Sequence, residues 1–129
     1  MNTNNEIEQE IQEKGLVAPR VTPAEIEANI ASEYYFSAEE GVIGKCVNRL
    51  ALDGLVIYPS DLPKRNKNLS VLTFCVLVLR NGFTVTGESA CASPENFNAE
   101  IGCKIARENA VQKIWPLMGY ALKDTLSKN

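Results

Sequence analysis

The chain contains no histidine and no Cys-x-x-Cys pair. The first absence removes Ser-His and Cys-His nucleophilic sites, the usual near-neutral general base and most catalytic zinc sites. The four cysteines, Cys46, Cys75, Cys91 and Cys103, lie 29, 16 and 12 residues apart. That spacing is too wide for a zinc knuckle or a redox motif, so they read as buried free thiols of a cytosolic chain. No apolar run approaches the ~20 residues of a membrane helix, the longest being Val76-Leu77-Val78-Leu79 with its neighbours. The opening Met1-Asn2-Thr3-Asn4-Asn5-Glu6 is polar and acidic, so neither a signal nor a transit peptide is expected, and a cytoplasmic location is expected. Neither sign of charge dominates. Thirteen basic and 16 acidic side chains leave a net charge of −3, which argues against a general polyanion binder and leaves room only for a local basic patch. No metal site, cofactor or catalytic residue is expected.

What is present is enough for one domain. The 129 residues are 45% hydrophobic and 22% charged, ordinary for a soluble fold, and a chain of this size buries roughly two thirds of its unfolded surface. Residues 1–19 read as an N-terminal arm and 20–129 as the core. In the arm, Ile7 and Ile11 are the only apolar anchors of an acidic helical pattern that Gly15 ends, so the arm either frays or docks on a partner subunit.

Thr22-Pro23-Ala24-Glu25 is a capping box with proline at the first helical position. Ile26, Ile30 and Tyr34 come next at four-residue spacing and predict one apolar helix stripe, broadened by Tyr35 and Phe36. Ser37 is the cap of a second predicted helix carrying Val42, Ile43, Cys46, Val47 and Leu50 as far as Gly54, weakened by Gly41 and Gly44. Leu55-Val56-Ile57-Tyr58 reads as a short strand stopped by Pro59. Lys64, Arg65 and Lys67 lie in the next loop, which is either solvated or faces an anion.

Residues 69–80 are nearly continuous apolar and β-branched sequence, and Asn81-Gly82 favours a two-residue type I′ turn. Phe83, Val85 and Gly87 then alternate with Thr84, Thr86 and Glu88, as a half-buried return strand does. The outgoing strand is apolar on both faces, so it is either central, or it packs on helices on one side and on a second subunit on the other. Ser93 before Pro94 caps one turn, and Asn98 caps a long helix bearing Ile101, Ile105, Ala110, Ile114, Met118, Ala121 and Leu122. Pro116 predicts a kink there, or two abutting helices. The expected class is α+β: a small antiparallel sheet with a central hairpin, packed by helices, and a long kinked C-terminal helix.

Amides, carboxylate and aromatic of residues 93–98 sit between a strand and a helix start, a generic anion site. Lys104 and Arg107 stand one turn on, with Lys113 farther along, and Phe83 offers a phenyl face that can stack on a base. Arg20 suits phosphate if the arm folds over a pocket. Each has an ordinary structural explanation too, as a cap, a core aromatic or a solvated cation. Trp115, Tyr120 and Tyr34 read as core or interface aromatics.

Several blocks carry a resemblance. Leu72-Thr73-Phe74-Cys75, Arg80-Asn81-Gly82-Phe83, Gly87-Glu88-Ser89-Ala90-Cys91, Ser93-Pro94-Glu95-Asn96-Phe97-Asn98, Glu100-Ile101-Gly102, Ala106-Arg107, Lys113-Ile114-Trp115 and Gly119-Tyr120 occur in this order. With Ala18-Pro19-Arg20-Val21-Thr22-Pro23 they cover about half of the chain. This pattern resembles a widespread family of small tailed-phage proteins that includes the first-described Thoeris anti-defence protein. That protein is a sponge for the cyclic ADP-ribose isomers made by bacterial TIR enzymes.

The resemblance implies a non-enzymatic binder that holds its ligand intact, in dimers that build hexamers, with a pocket at the dimer interface. It implies Phe83 for stacking, Asn96 and Asn98 for polar contacts and Arg107 for phosphate, with Arg20, Lys104 and Lys113 as further candidates. It also implies a second site between subunits for cyclic di- or trinucleotides of CBASS defence. Residues 42–69 fit the pattern least. Three other readings compete. One is a phage interaction protein that binds a host or phage protein and no nucleotide. Another is an enzyme using Glu88 or Glu100 as base. The third is a nucleic-acid binder using Lys64, Arg65 and Lys67, which ranks behind a chain without a nucleic-acid partner.

Overall fold

The computed structural model describes residues 3–128; Met1, Asn2 and Asn129 lie outside it, and with them the first two residues of the arm. The order of elements is α1 (Thr3–Glu13), α2 (Pro23–Ala28), β1 (Ile30–Ser37), α3 (Ala38–Leu52), α4 (Lys67–Ser70), β2 (Leu72–Leu79), β3 (Thr84–Ala90) and α5 (Ala99–Ser127). The three strands form one antiparallel sheet in the order β1-β2-β3. The protein is α+β, with α5 laid across one face of the sheet.

The predicted capping box at Thr22 forms, and the predicted cap Ser37 forms a second box with Glu40. Thr22 Oγ1 accepts from the Glu25 amide at 3.1 Å, and Ser37 Oγ accepts from the Glu40 amide at 3.1 Å. Each glutamate reaches back to the amide of its cap, at 3.3 and 2.8 Å. Beyond the first box the chain departs from expectation. The helix ends at Ala28, and Ile30 and Tyr34 lie on strand β1. A spacing of four is an even number, so it marks one face of a strand as well as one face of a helix. The β-branched and aromatic residues at 30–36 favour the strand, and β2 supplies its partner: Tyr34 pairs with Val76 and Phe36 with Phe74.

β2 is the central strand. Thr73, Cys75, Leu77 and Leu79 are buried beneath α5, and Leu72, Phe74, Val76 and Val78 are half-buried on the opposite face. The hairpin to β3 forms, with a different turn. Leu79 N donates to Phe83 O at 2.8 Å and Gly82 N to Leu79 O at 2.9 Å, which makes a three-residue loop of Arg80, Asn81 and Gly82. Gly82 alone in it has a positive φ, of 89°. A type I′ turn needs positive φ at both central residues, whereas a type I turn followed by one left-handed residue needs it once.

The core lies between the sheet and α5, built on Ile26, Cys75, Leu77, Leu79, Val85, Ala106, Ala110 and Ile114. The buried stripe of α5 is Gly102, Ala106, Ala110 and Ile114, while the expected stripe members Ile101 and Ile105 are exposed. Small residues win the inner face because the helix rests directly on the backbone of β3 at Gly87. α5 runs through Pro116 as one helix rather than as two. Leu55-Val56-Ile57-Tyr58 is no strand: the run is exposed and pairs with no strand among the described residues. Of the cysteines, all free, Cys75 is buried and Cys46, Cys91 and Cys103 are half-buried. Among the described residues, no helix is long and apolar enough to cross a membrane.

Candidate ligand-binding site

Phe83 comes directly after the hairpin loop. Its amide donates to Asn81 Oδ1 at 2.9 Å and its carbonyl accepts from Leu79. The backbone is therefore fixed while the ring stays 55% exposed. An aromatic held in this way offers a flat apolar face at little conformational cost.

Asn96 and Asn98 lie at the other end of β3. Asn96 closes the single turn Pro94–Asn96, its amide donating to Ser93 O at 2.9 Å. Asn98 caps α5, with Oδ1 accepting from the Ile101 amide at 3.1 Å. Its side-chain oxygen is thus engaged, and its amide nitrogen is the group left to meet a ligand. Seven residues of β3 at about 3.3 Å each separate this loop from the hairpin by about 20 Å. Within one chain, Phe83 and the two asparagines do not converge.

Arg107 occupies a third place, on the α2-facing side of α5. Its guanidinium binds both oxygens of Glu27 at 3.0 and 2.7 Å and reaches Glu33 at 3.2 and 3.3 Å. Tyr35 adds a 2.6 Å hydrogen bond to Glu33. The two carboxyls are held below their ordinary range, Glu27 by Arg107 and Glu33 by Tyr35 and then Arg107. Burial, and then the bond to Glu33, push the Tyr35 phenol up. Burial likewise raises the thiol of Cys75, which pairs with Tyr35 across the sheet. Arg107 thus clamps α2, β1 and α5 together, and an anion that reaches it has to displace carboxylates. Lys104 joins Arg107 in a cleft of about 240 Å³ with Glu27 and Glu108, and pairs with Glu100 at 3.3 Å.

Arg20 faces the other side of α2. It forms a two-pronged ion pair with Glu8, which ties the arm helix α1 to the body and holds the Glu8 carboxyl at about 2. The arm is docked on its own chain at this point. Arg20 also lines a groove of about 600 Å³ with Val21, Met118, Ala121, Leu122 and Arg80. Arg80, overlooked in the sequence, donates through Nε to Ala28 O; the signal for it was a charge ending an apolar strand. Glu27 and Glu33 were missed too, since nothing in their spacing announces a shared arginine. Lys113 is exposed one turn beyond Asn109, whose Nδ2 donates to Glu88 O at 2.8 Å on the edge strand.

In the basic loop, Arg65 is engaged. It bonds the buried Glu39 at 2.5 Å, the Asn66 amide adds 3.1 Å, and the arginine holds that carboxyl low. This arrangement secures the loop to the start of α3 and leaves Lys64 and Lys67 exposed.

The fold and these dispersed polar and aromatic groups define a small α+β protein with no single enclosed site among the described residues. The chain belongs to the phage protein family described as N4 Gp49/phage Sf6 gene 66, whose family model matches residues 21–126. No curated protein and no solved structure matches it significantly.

Proposed function

We propose that this phage protein is a non-enzymatic anti-defence binder. It sequesters nucleotide immune signals intact: glyco-cyclic ADP-ribose isomers from the TIR enzymes of Thoeris, with cyclic oligonucleotides of CBASS at a second site. It acts in the host cytoplasm. The observation that carries this reading is Phe83, an aromatic on a fixed backbone whose ring is open to solvent at a strand end. Stacking on adenine together with charge-assisted bonds to pyrophosphate suits such a ligand. A sponge needs no acid, base or metal.

Sequestration works only when binding is tight, and a nanomolar site needs about −12 kcal/mol, which favours an enclosed pocket. One chain does not enclose Phe83 together with Asn96 and Asn98, so the pocket takes its parts from more than one subunit. The exposed surface supports an assembly. The chain exposes 9196 Å², whereas a compact monomer of its 14.2 kDa exposes about 6,800 Å². The excess, about 2,400 Å², is the scale that one partner buries in an obligate interface. A homodimer that builds a hexamer is the assembly proposed.

The test is incubation of the purified protein with a TIR-derived cyclic ADP-ribose isomer, filtration, heating of the retained fraction and chromatography. Depletion from the filtrate with intact ligand released by heat is the expected result. Ligand converted over time makes the protein an enzyme. Ligand left in the filtrate favours the interaction-protein reading.

A further inference from the structure

Thr73 is the odd member of the inner row of β2. Its neighbours in that row, Cys75, Leu77 and Leu79, are apolar, whereas Thr73 is polar and only 5% exposed. Its hydroxyl makes no hydrogen bond among the described residues, and a buried hydroxyl without a partner costs stability. Unlike Trp115 Nε1, it is not sealed from solvent. It opens on a cavity of about 190 Å³ where β1, β2 and the heads of α3 and α5 meet. A Cβ placed at Gly102 would lie 3.0 Å from Thr73 Oγ1 and 3.5 Å from Phe97 Cε1. The Phe97 ring and the hydroxyl therefore stand side by side under the same turn of α5.

The other polar groups around the cavity are already engaged. Ser37 Oγ accepts from the Glu40 amide, Glu40 Oε1 accepts from the Ser37 amide, and Ser70 Oγ donates to Lys67 O. Among the described residues no cation lines the cavity, and its one carboxylate, Glu40, is exposed at the head of α3. Such a lining repels a phosphate and accepts an uncharged ring that has one polar edge. The space is below the ~300 Å³ at which pockets for whole ligands begin, so it admits a single ring system. We propose that this cavity takes a nucleobase, with Thr73 Oγ1 on the polar edge of the base and Phe97 beside its ring. A hydroxyl both donates and accepts, so it meets a ring nitrogen or an amino group equally well. Outside the cavity, the first amides of α5 are orphan donors and the Asn98 amide nitrogen is unengaged. The sugar-phosphate part of the ligand lies there. The inference rests on the nucleotide reading above and gives it a base site that one chain builds by itself, apart from Phe83.

Cys103 reports on the cavity, because it lines it and is half-buried. The probe is adenosine, added to the full chain during alkylation by iodoacetamide, with the modified cysteines assigned by peptide mass. Saturating adenosine is expected to slow alkylation of Cys103 at least fivefold and to leave Cys46, outside the cavity, unchanged. Thr73→Val removes the hydroxyl and keeps the shape, so it should fold at least as stably as the wild type. It is expected to raise the half-protecting concentration about tenfold, whereas Thr73→Ser stays within about threefold of the wild type. Equal rates with and without adenosine, or an unchanged half-protecting concentration in T73V, overturns the proposal. If the cyclic ADP-ribose isomer is still retained in the filtration test, the base site alone fails. If neither ligand is held, the nucleotide reading fails with it.

Discussion

Gly87 on β3 and Ala106 on α5 meet backbone to backbone. A Cβ added at Gly87 would overlap the Ala106 carbonyl oxygen and the Ala110 nitrogen, and would lie 3.0 Å from Ala110 Cα. None of these atoms belongs to a side chain that could swing away. Gly87→Ala must therefore lift the helix off the sheet, and the expected cost is about 3 kcal/mol or more, at the upper end for overpacking. Gly102→Ala is the milder neighbour, since its Cβ would meet Thr73 Oγ1 at 3.0 Å, a contact that a small rotation relieves. Denaturant midpoints of the two variants should differ in that order; equal midpoints would mean that the close approach is not what fixes α5.

The same contact explains which parts of the fold the sequence disclosed. Local chemistry was legible: Thr22 with Glu25, Ser37 with Glu40, and Asn98 at the head of α5 all cap as their residue types demand. Pairwise proximity in space was not. The preference of α5 for Gly102, Ala106 and Ala110 over Ile101 and Ile105 depends on a glycine in a strand that precedes it by about twenty residues. β1 looked helical because Ile26, Ile30 and Tyr34 satisfy both periods, and only the register with β2 decides. The candidate ligand residues were visible as residue types, whereas their separation by the length of β3 and the engagement of Arg107 by Glu27 and Glu33 belong to tertiary structure.

Arg107 serves as a clamp whether or not a ligand is present. Arg107→Gln is expected to lower stability by about 1–2 kcal/mol in ligand-free protein, because two carboxylates lose a shared partner and the pairs are only partly exposed to solvent. The double variant Glu27→Gln with Glu33→Gln separates this role from ligand binding. It should lower the thermal midpoint and yet retain the cyclic ADP-ribose isomer several-fold more tightly, since the guanidinium is released. Retention that falls along with the midpoint would show that Arg107 does not touch the pyrophosphate.

Acid should loosen the arm and the clamp in a defined window. Glu8, Glu27, Glu33 and Glu39 all have folded values below their ordinary 4.5, Glu8 at about 2. Groups of this kind contribute stability that is fully present above the unfolded value and is lost as pH falls through the folded one. The thermal midpoint should hold steady from pH 7 to about 5, fall below about 4.5, and go on falling toward pH 2. Glu8→Gln should flatten the lowest part of that curve. A midpoint that rises on acidification would contradict these pairings.

Trp115 packs on the core while its Nε1 is buried without a hydrogen-bond partner among the described residues. An indole N–H in that position contributes ring area and no bond, so the polar atom stabilises nothing and carries a desolvation cost. Trp115→Phe should therefore cost less than about 1.5 kcal/mol, as a largely shape-conserving swap. Trp115→Ala should cost about 3–5 kcal/mol through the cavity left beside Ile26 and Val111. Calorimetric midpoints for the pair check this directly. A Trp115→Phe loss as large as that of the alanine variant would mean that the N–H does make a bond in solution, to a group from outside the chain.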